Sequence, residues 1–490
     1  MNASETIKSY IGGQYTADAQ RTLPNVCPFN GKPLNSVACA TESQIEHAIS
    51  SAADAFVKWS AMSGTERGRI LARVAQLVRD NTQSLAELEV LETGKPIREA
   101  REVDIPSAAD ALEYFAGVAP TIHGDYYDLG TAYVYTRREP IGVCAGIGAW
   151  NYPLQIAAWK AAPALAAGNA MVFKPSEMTP SSALKLAEFF VQAGAPAGLF
   201  NVVQGDASIG QILAQHERIG KVSLTGSVPT GKKVMELASQ NLKQVSLELG
   251  GKSPLIIYAD SNLEQAVYGA LMANFFTQGE ICTNGTRVFV EDSVKDKFLT
   301  RLLSEVEKIK LGHPMKPDTT MGALISEAHL EKVLNYIKIG QQEGASLLCG
   351  GERPNWDSSD QEIAQGYFIT PAVFSDCTDE MTIAKEEIFG PVMSVLSFKS
   401  EDEVITRANQ TPFGLAAGVF TKDIQKANRT VNRLAAGVCW INNYNVTPLE
   451  VPFGGIKQSG MGRENGLAAI EHYTQIKTIY NEMTDIEPPF

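Results

Sequence analysis

The chain lacks most of the short motifs that announce a chemistry. Its seven cysteines stand at 27, 39, 144, 282, 349, 377 and 439, with no CxxC pair among them. Structural zinc and a disulfide framework both need closely spaced or evenly matched cysteines, so neither is expected. The six histidines are dispersed and include no HExxH. No run of 18 apolar residues occurs, which excludes a membrane-spanning helix, and the opening "MNASETIKSYIGGQY" has no apolar signal core. Positive charge is also short: 42 Lys and Arg against 55 Asp and Glu leave a net charge of −13, which argues against a nucleic-acid partner. These absences point to a soluble, cytoplasmic protein of a reducing compartment, with neither a membrane nor a nucleic acid as partner.

What is present is an α/β pattern in a chain of 490 residues, too long for one hydrophobic core. Residues 42–93 carry two long amphipathic stretches that stop at "TGKP". From 142 the period changes: short apolar runs such as "GVCAGIGAW", "AMVFKP", "KVSLTGS" and "QVSLELGG" alternate with helical segments. That alternation reads as βαβ units building a parallel sheet covered on both faces. A second α/β stretch starts near "SPLIIYAD" (253–260) and runs to about 435. Two segments, 133–142 and 472–483, alternate apolar and polar residues instead. They read as edge strands or as an arm that pairs with another subunit.

Open parallel sheets bind ligands at the carboxyl ends of their strands, and several polar residues fall there. "LTGSVPTGKK" (224–233) takes a strand through a Gly-Ser turn into a helix whose N-terminus suits a pyrophosphate, with Ser227 as donor or merely as cap. In "VFKPSE" (172–177), Lys174 could reach a ribose hydroxyl and Glu177 could accept from the 2′-OH, or the two could form a surface pair. A carboxylate at that position favours NAD over NADP, because it repels a 2′-phosphate. Glu248, in "LELGGKSP", ends an apolar strand run, and buried carboxylates are rare unless paired or working. Asn151 is an amide donor in "AWNYP", and Cys282 stands in "FFTQGEICTNGTR" with no histidine near it in sequence. A cysteine nucleophile needs an oxyanion donor and, if a thioester forms, a base for water. Cys282, Asn151 and Glu248 can fill those three roles, although spacing alone also fits unrelated core and loop residues.

"LELGGKSP", followed 34 residues later by Cys282, resembles the glutamate and cysteine signatures of the aldehyde dehydrogenase superfamily. "GIGAWNYP", "FKPSE", "TGSVPTGKK", "EEIFGPV" (386–392) and "PFGGIKQSGMGRENG" (452–466) extend the resemblance over nearly the whole chain. Within the superfamily the chain is similar to betaine aldehyde dehydrogenases and the related 4-trimethylaminobutyraldehyde dehydrogenases, the latter through "GLFNVVQG", "GSVPTG", "LMANFFTQG" and "INNYNV".

The resemblance implies a fold and a set of roles. The fold would comprise a Rossmann-like NAD-binding domain (1–119 and 143–246), a catalytic domain (247–435), a return segment completing the sites (436–468) and an oligomerisation arm (120–142 and 469–490). Cys282 would be the nucleophile, Glu248 the base and Asn151 the oxyanion donor, with Lys160 and Glu464 as a buried charge relay. Gly148, Ala149, Trp150, Lys174, Pro175, Ser176, Glu177, Gly226, Ser227, Val228, Pro229, Thr230, Gly250, Glu387 and Phe389 would hold NAD, with NADP the alternative cofactor. Tyr152, Trp159 and Tyr444 would cage a trimethylammonium group. Potassium would sit at Asn25, Val26, Glu92, Met178 and Leu242, and at Lys457 and Gly460, with Glu92 standing where the bacterial betaine enzymes have aspartate. The implied activity is NAD-dependent oxidation of a quaternary-ammonium aldehyde by a homotetramer. Rivals are a CoA-acylating enzyme, which would not need Glu248, and a non-catalytic protein on the same fold.

Overall fold

The structure, a computed structural model, describes residues 6–17, 21–356 and 360–490, so the first five residues of the N-terminal stretch read above lie outside it. The amphipathic stretch over 42–93 forms three helices rather than two: Glu42–Ser60, Gly64–Asp80 and Thr82–Thr93. The first two open on capping boxes, Thr41 with Gln44 and Ser63 with Glu66. The extra break falls at Asn81, whose side-chain amide donates to the Leu77 carbonyl at 2.8 Å. A short polar side chain thereby competes with the helical ladder, a signal the apolar period does not carry. Gly94 ends the third helix at φ 79°, a left-handed conformation that glycine adopts freely.

Two large sheets organise the chain. The first runs in the order Gly460–Met461, Gln244–Glu248, Ile219–Thr225, Val143–Ile147, Ala170–Lys174, Phe200–Val202, Tyr10–Ile11 and Gln14–Tyr15. Its central pairings are parallel and its edge pairings antiparallel. Val143–Ile147 and Ala170–Lys174 are buried along their whole length, as expected for strands covered on both faces. The second sheet contains Ser346–Cys349, Ala372–Ser375, Val392–Phe398, Arg287–Glu291, Pro254–Ile257, Ala416–Phe420 and Val438–Ile441. It extends beyond residue 435, because Val438–Ile441 pairs with Ala416–Phe420. The chain then returns so that Gly460–Met461 lies beside Gln244–Glu248, which links the two sheets.

The two alternating segments find each other. Ala132–Pro140 and Thr474–Glu482 pair antiparallel over their full length and, with Tyr126–Asp128, make a separate three-stranded sheet. Its residues Tyr126, Tyr127, Ile476 and Tyr480 are exposed. Among the described residues no helix is long and apolar enough to cross a membrane.

Register in the first sheet positions the site. Ile147 is level with Lys174 and Leu224, and Thr225 with Glu248, so four strands end at one edge. The residues just beyond those ends come from distant parts of the sequence and face the second sheet's cysteine turn.

Candidate active site

That turn is strained by design of its sequence. Between the helix Leu263–Phe275 and Cys282, Thr277 (φ 47°), Gln278 (φ 53°) and Gly279 (φ 73°) are all left-handed. A Cβ at Gly279 would lie 2.4 Å from the Gly390 backbone, so only glycine fits. Asn284 donates to the Gly279 carbonyl at 2.8 Å and closes the loop on itself. Cys282 emerges from this turn onto a cavity of about 330 Å³. Glu248, Asn151, Trp150, Tyr152, Trp159, Lys160 and Glu464 line the same space.

The electrostatics of these groups follow from their burial. Glu248 is 5% exposed and neither of its carboxylate oxygens has a hydrogen-bond partner. Desolvation, reinforced by the Glu464 carboxylate, holds its pKa well above the usual range. Cys282 keeps partial exposure, yet desolvation pushes its thiol up to about 12, with Glu248 and Glu387 adding repulsion against a thiolate. The Asn151 amide donates once, to the Glu280 carbonyl at 3.0 Å. Its second N–H is thus free for a ligand. Lys160 and Glu464 form a buried ion pair at 2.7 Å, and Ser223 bonds both at 2.9 and 3.0 Å.

The remaining candidates divide between the cavity and the strand ends beside it. Ala149, Trp150, Gly226, Ser227, Gly250, Glu387 and Phe389 line the cavity with Cys282. A Cβ at Gly250 would meet the Glu387 carboxylate at 2.0 Å and force that side chain to move, and Glu387 accepts from the Gly251 N–H at 3.0 Å. Phe389, at φ 62°, packs edge-on to Trp150 at 5.3 Å. Ser227 caps the helix Val228–Ser239, accepting from the Thr230 N–H at 3.4 Å, with Pro229 in its first turn. Gly148 donates to the Lys174 carbonyl at 2.9 Å, and Lys174 contacts Pro175 O at 2.9 Å and Glu177 at 3.2 Å. Ser176 accepts from the Met178 N–H at 3.3 Å. Lys174 to Glu177 and Val228 to Thr230 stand outside the cavity lining.

Residues 15–479 match the profile of the aldehyde dehydrogenase family. The chain belongs to that family. It is 53% identical over 491 residues to the betaine aldehyde dehydrogenases of Brucella ovis and Brucella melitensis biotype 1, covering 100% of each chain. Among solved structures it resembles an NAD-dependent aldehyde dehydrogenase from Sinorhizobium meliloti, with TM-score 0.95, 38% identity and coverage of 99% and 97%. It also resembles the betaine aldehyde dehydrogenase of Staphylococcus aureus in complex with NAD+, with TM-score 0.95, 38% identity and coverage of 99% and 96%.

In this aldehyde dehydrogenase the three aromatics of the expected cage are not equivalent. Tyr152 and Trp159 line the cavity, whereas Tyr444 is buried, donates to the Thr283 carbonyl at 2.9 Å and borders an adjoining cleft of about 830 Å³. The two spaces share Val103, Gln155, Phe276, Asn445 and Thr447 in their linings, so they are neighbours. Tyr152 immediately precedes the helix Pro153–Ala166 that carries Trp159, and Lys95 Nζ already sits 4.1 Å from its ring centre.

Other functional neighbours gave no signal in the sequence. His329 lines the cavity of Cys282, although no histidine stands near that cysteine along the chain. Its Nε2 lies 2.7 Å from the Phe389 carbonyl, which makes it a donor there, and burial lowers its pKa to about 4. It is a neutral wall of the cavity rather than a partner for the thiol. Phe453, edge-on to Trp159 at 5.6 Å, is another wall residue. Of the potassium positions, Asn25 and Glu92 are buried, and Ser181 donates to Glu92 from its N–H (3.2 Å) and its hydroxyl (2.5 Å). Val26 is the last residue of the strand Thr22–Val26, and Leu242 is 92% exposed. Lys457 donates to the Asn409 and Thr411 carbonyls at 3.2 Å each, and Gly460 begins the strand paired to Glu248.

Proposed function

We propose that this aldehyde dehydrogenase oxidises betaine aldehyde to glycine betaine, with NAD as acceptor, through a cysteine thiohemiacetal and thioester. The observation that carries the proposal is the unpartnered Glu248 carboxyl on the same cavity as Cys282. A buried carboxyl with no donor is costly unless a ligand or a reaction uses it. The names of the relatives supply the substrate class.

The residues then act in sequence. The Cys282 thiolate forms a C–S bond to the aldehyde carbon, and the carbonyl π pair moves to oxygen. The free Asn151 N–H and the Cys282 backbone N–H donate to that oxyanion, a contribution of about 2.7–4 kcal/mol per donor. NAD, when bound, supplies the two-electron acceptor for the hydride that leaves this carbon as the thioester forms. Gly148 to Trp150, Lys174 to Glu177, Gly226 to Thr230, Gly250, Glu387 and Phe389 would hold it. Glu248, once ionised, is a strong base because desolvation raises its pKa; it takes a proton from water, which attacks the thioester and releases the acid and the thiolate. Lys160 and Glu464 then carry the proton away from Glu248. A CoA-acylating enzyme would have no use for Glu248, since a thiol acceptor needs no such base. Tyr444 favours a second substrate, 4-trimethylaminobutyraldehyde, whose longer chain would reach into the adjoining cleft.

Cofactor choice should follow from Glu177. Its side chain is 40% exposed beside Lys174, and a 2′-phosphate there would meet a carboxylate. The specificity constant for NAD is expected to exceed that for NADP, and Glu177→Ser should narrow the gap. Equal constants in the parent protein would refute the charge argument.

Trp159 tests the substrate. It is 7% exposed, lines the cavity and donates to Ser107 at 3.2 Å. A desolvated trimethylammonium on its face is worth roughly 2 kcal/mol, more than tenfold in kcat/KM. Trp159→Ala is therefore expected to lower kcat/KM for betaine aldehyde at least about tenfold more than for uncharged butyraldehyde. Equal losses would reduce Trp159 to packing. Initial rates on betaine aldehyde, 4-trimethylaminobutyraldehyde, 4-aminobutyraldehyde and butyraldehyde rank the substrates directly.

The proposal includes a cytoplasmic homotetramer, supported by the exposed aromatic and aliphatic residues of the three-stranded arm. Potassium enters it only with the backbone carbonyls of Asn25, Val26, Met178, Leu242, Lys457 and Gly460 and the Glu92 carboxylate as the groups that would hold it, which would draw Glu92 away from Ser181.

A further inference from the structure

A buried carboxyl outside the cavity lining is tied to the cysteine turn. Glu99 Oε2 accepts from both the Thr277 N–H (3.1 Å) and the Thr277 hydroxyl (3.0 Å), and the Tyr152 hydroxyl lies 2.9 Å from the same Thr277 oxygen. Thr277 is a β-branched residue at φ 47°, a conformation such residues rarely adopt and that persists only where its surroundings over-determine it. The turn it begins has two consequences for the site. Three residues on, the Glu280 carbonyl takes the Asn151 amide at 3.0 Å, and two residues further stands Cys282.

The chain around Glu99 is shaped for this contact. Residues Ala100–Asp104 form a π-helical turn, with the Ile105 N–H bonded to the Ala100 carbonyl five residues back. On a regular α-helix Glu99 and Asp104 would diverge around the axis, while a π-turn brings residues five apart onto one face. Both are buried. Asp104 pairs with Lys95, which donates to the Asn151 carbonyl at 2.7 Å and lies over the Tyr152 ring. One inserted residue thus aims two carboxyls at the two ends of Asn151: Asp104 through Lys95, and Glu99 through Thr277 and Glu280.

We infer that Glu99 is a positioning residue, which holds Thr277 left-handed and so sets Cys282 against the Asn151 amide. This rests on the proposed roles of Cys282 and Asn151. The test reads the Cys282 thiol itself, through its rate of alkylation by iodoacetamide, located by peptide mass, alongside kcat and NAD affinity. Misplacement of a reacting group by about 1 Å costs on the order of 100-fold, so Glu99→Ala is expected to lower kcat by that order and to change the alkylation rate, with NAD affinity unchanged. Glu99→Gln keeps an oxygen acceptor for Thr277 and is expected to behave like the parent. In a Thr277→Gly background, where left-handed backbone needs no support, the effect of Glu99→Ala should shrink by about tenfold. If Glu99→Ala does not fold, Thr277→Val, which keeps the side-chain shape and removes the hydroxyl, should shift alkylation and kcat in the same direction. Unchanged alkylation in Thr277→Val and Glu99→Ala, failure of Gln to rescue, or equal losses in both backgrounds would each overturn the inference. Turnover that survives full alkylation of Cys282 in the parent would instead refute the covalent mechanism, so the two failures are separable.

Discussion

Cys282→Ala should abolish steady-state aldehyde oxidation, by on the order of 10⁴-fold or more, and leave NAD affinity intact. The size follows from the proposed role: among the described residues no other thiol lines the cavity, and every later step of the proposed mechanism acts on the carbon bonded to sulfur. Loss of the thiol should cost little stability, because Cys282 keeps partial exposure and the turn is held by Gly279, Asn284 and Thr277. Circular dichroism and NAD titration are the controls. The parental thiol also makes a pH prediction. Desolvation raises it to about 12, so its thiolate fraction grows as pH rises, and single-turnover acylation should speed up accordingly. Turnover of Cys282→Ala within tenfold of the parent would end the covalent mechanism.

Glu248→Gln should separate the two halves of the reaction. In the proposed mechanism acylation needs Cys282 and Asn151, whereas hydrolysis needs a group that takes a proton from water, which a neutral amide cannot do. Rapid mixing should show a burst of NADH close to one per active site, followed by a steady state slower by about 10²–10⁴-fold. A burst-free trace at the parental rate would assign the base elsewhere. Stability supplies an independent reading. The folded-state pKa of Glu248 is raised, chiefly by desolvation, so its protonated form is the one that folding tolerates. Its stabilising share is complete below the unfolded carboxylate pKa and is lost as pH rises through the folded value. The melting temperature of Glu248→Gln relative to the parent should therefore rise with pH. A difference that stays constant as pH rises above the ordinary carboxylate range would mean that Glu248 is not desolvated.

Much of this was written along the chain. Strand–helix alternation marked the parallel sheet, because strands buried on both faces must be apolar throughout. The period of two at 133–142 and 472–483 marked two strands, which pair with each other, and Ser227 marked the start of a helix with a serine cap. Glu248 stood out because a carboxylate at the end of an apolar run is expensive there without a task. These are local facts: each side chain's type records its own burial. What only the tertiary structure decided is which distant residues meet. Register puts Thr225 level with Glu248 and Leu224 level with Ile147, and so brings Asn151 and Glu248 to one edge. The crossing of the chain between sheets then sets Cys282, His329 and Phe453 against that edge. Glu99 and Thr277 left no trace in any period, since a π-turn and three successive left-handed residues break the repeats on which sequence patterns depend. Tyr444 shows the same limit from the other side: its residue type suits a cation cage, but its hydroxyl is held by the Thr283 carbonyl, and the backbone path from Ile441 to Asn445 places it on the adjoining cleft. Burial is a property of one residue and shows in its identity, while a site is a set of long-range pairings fixed only when the sheets close.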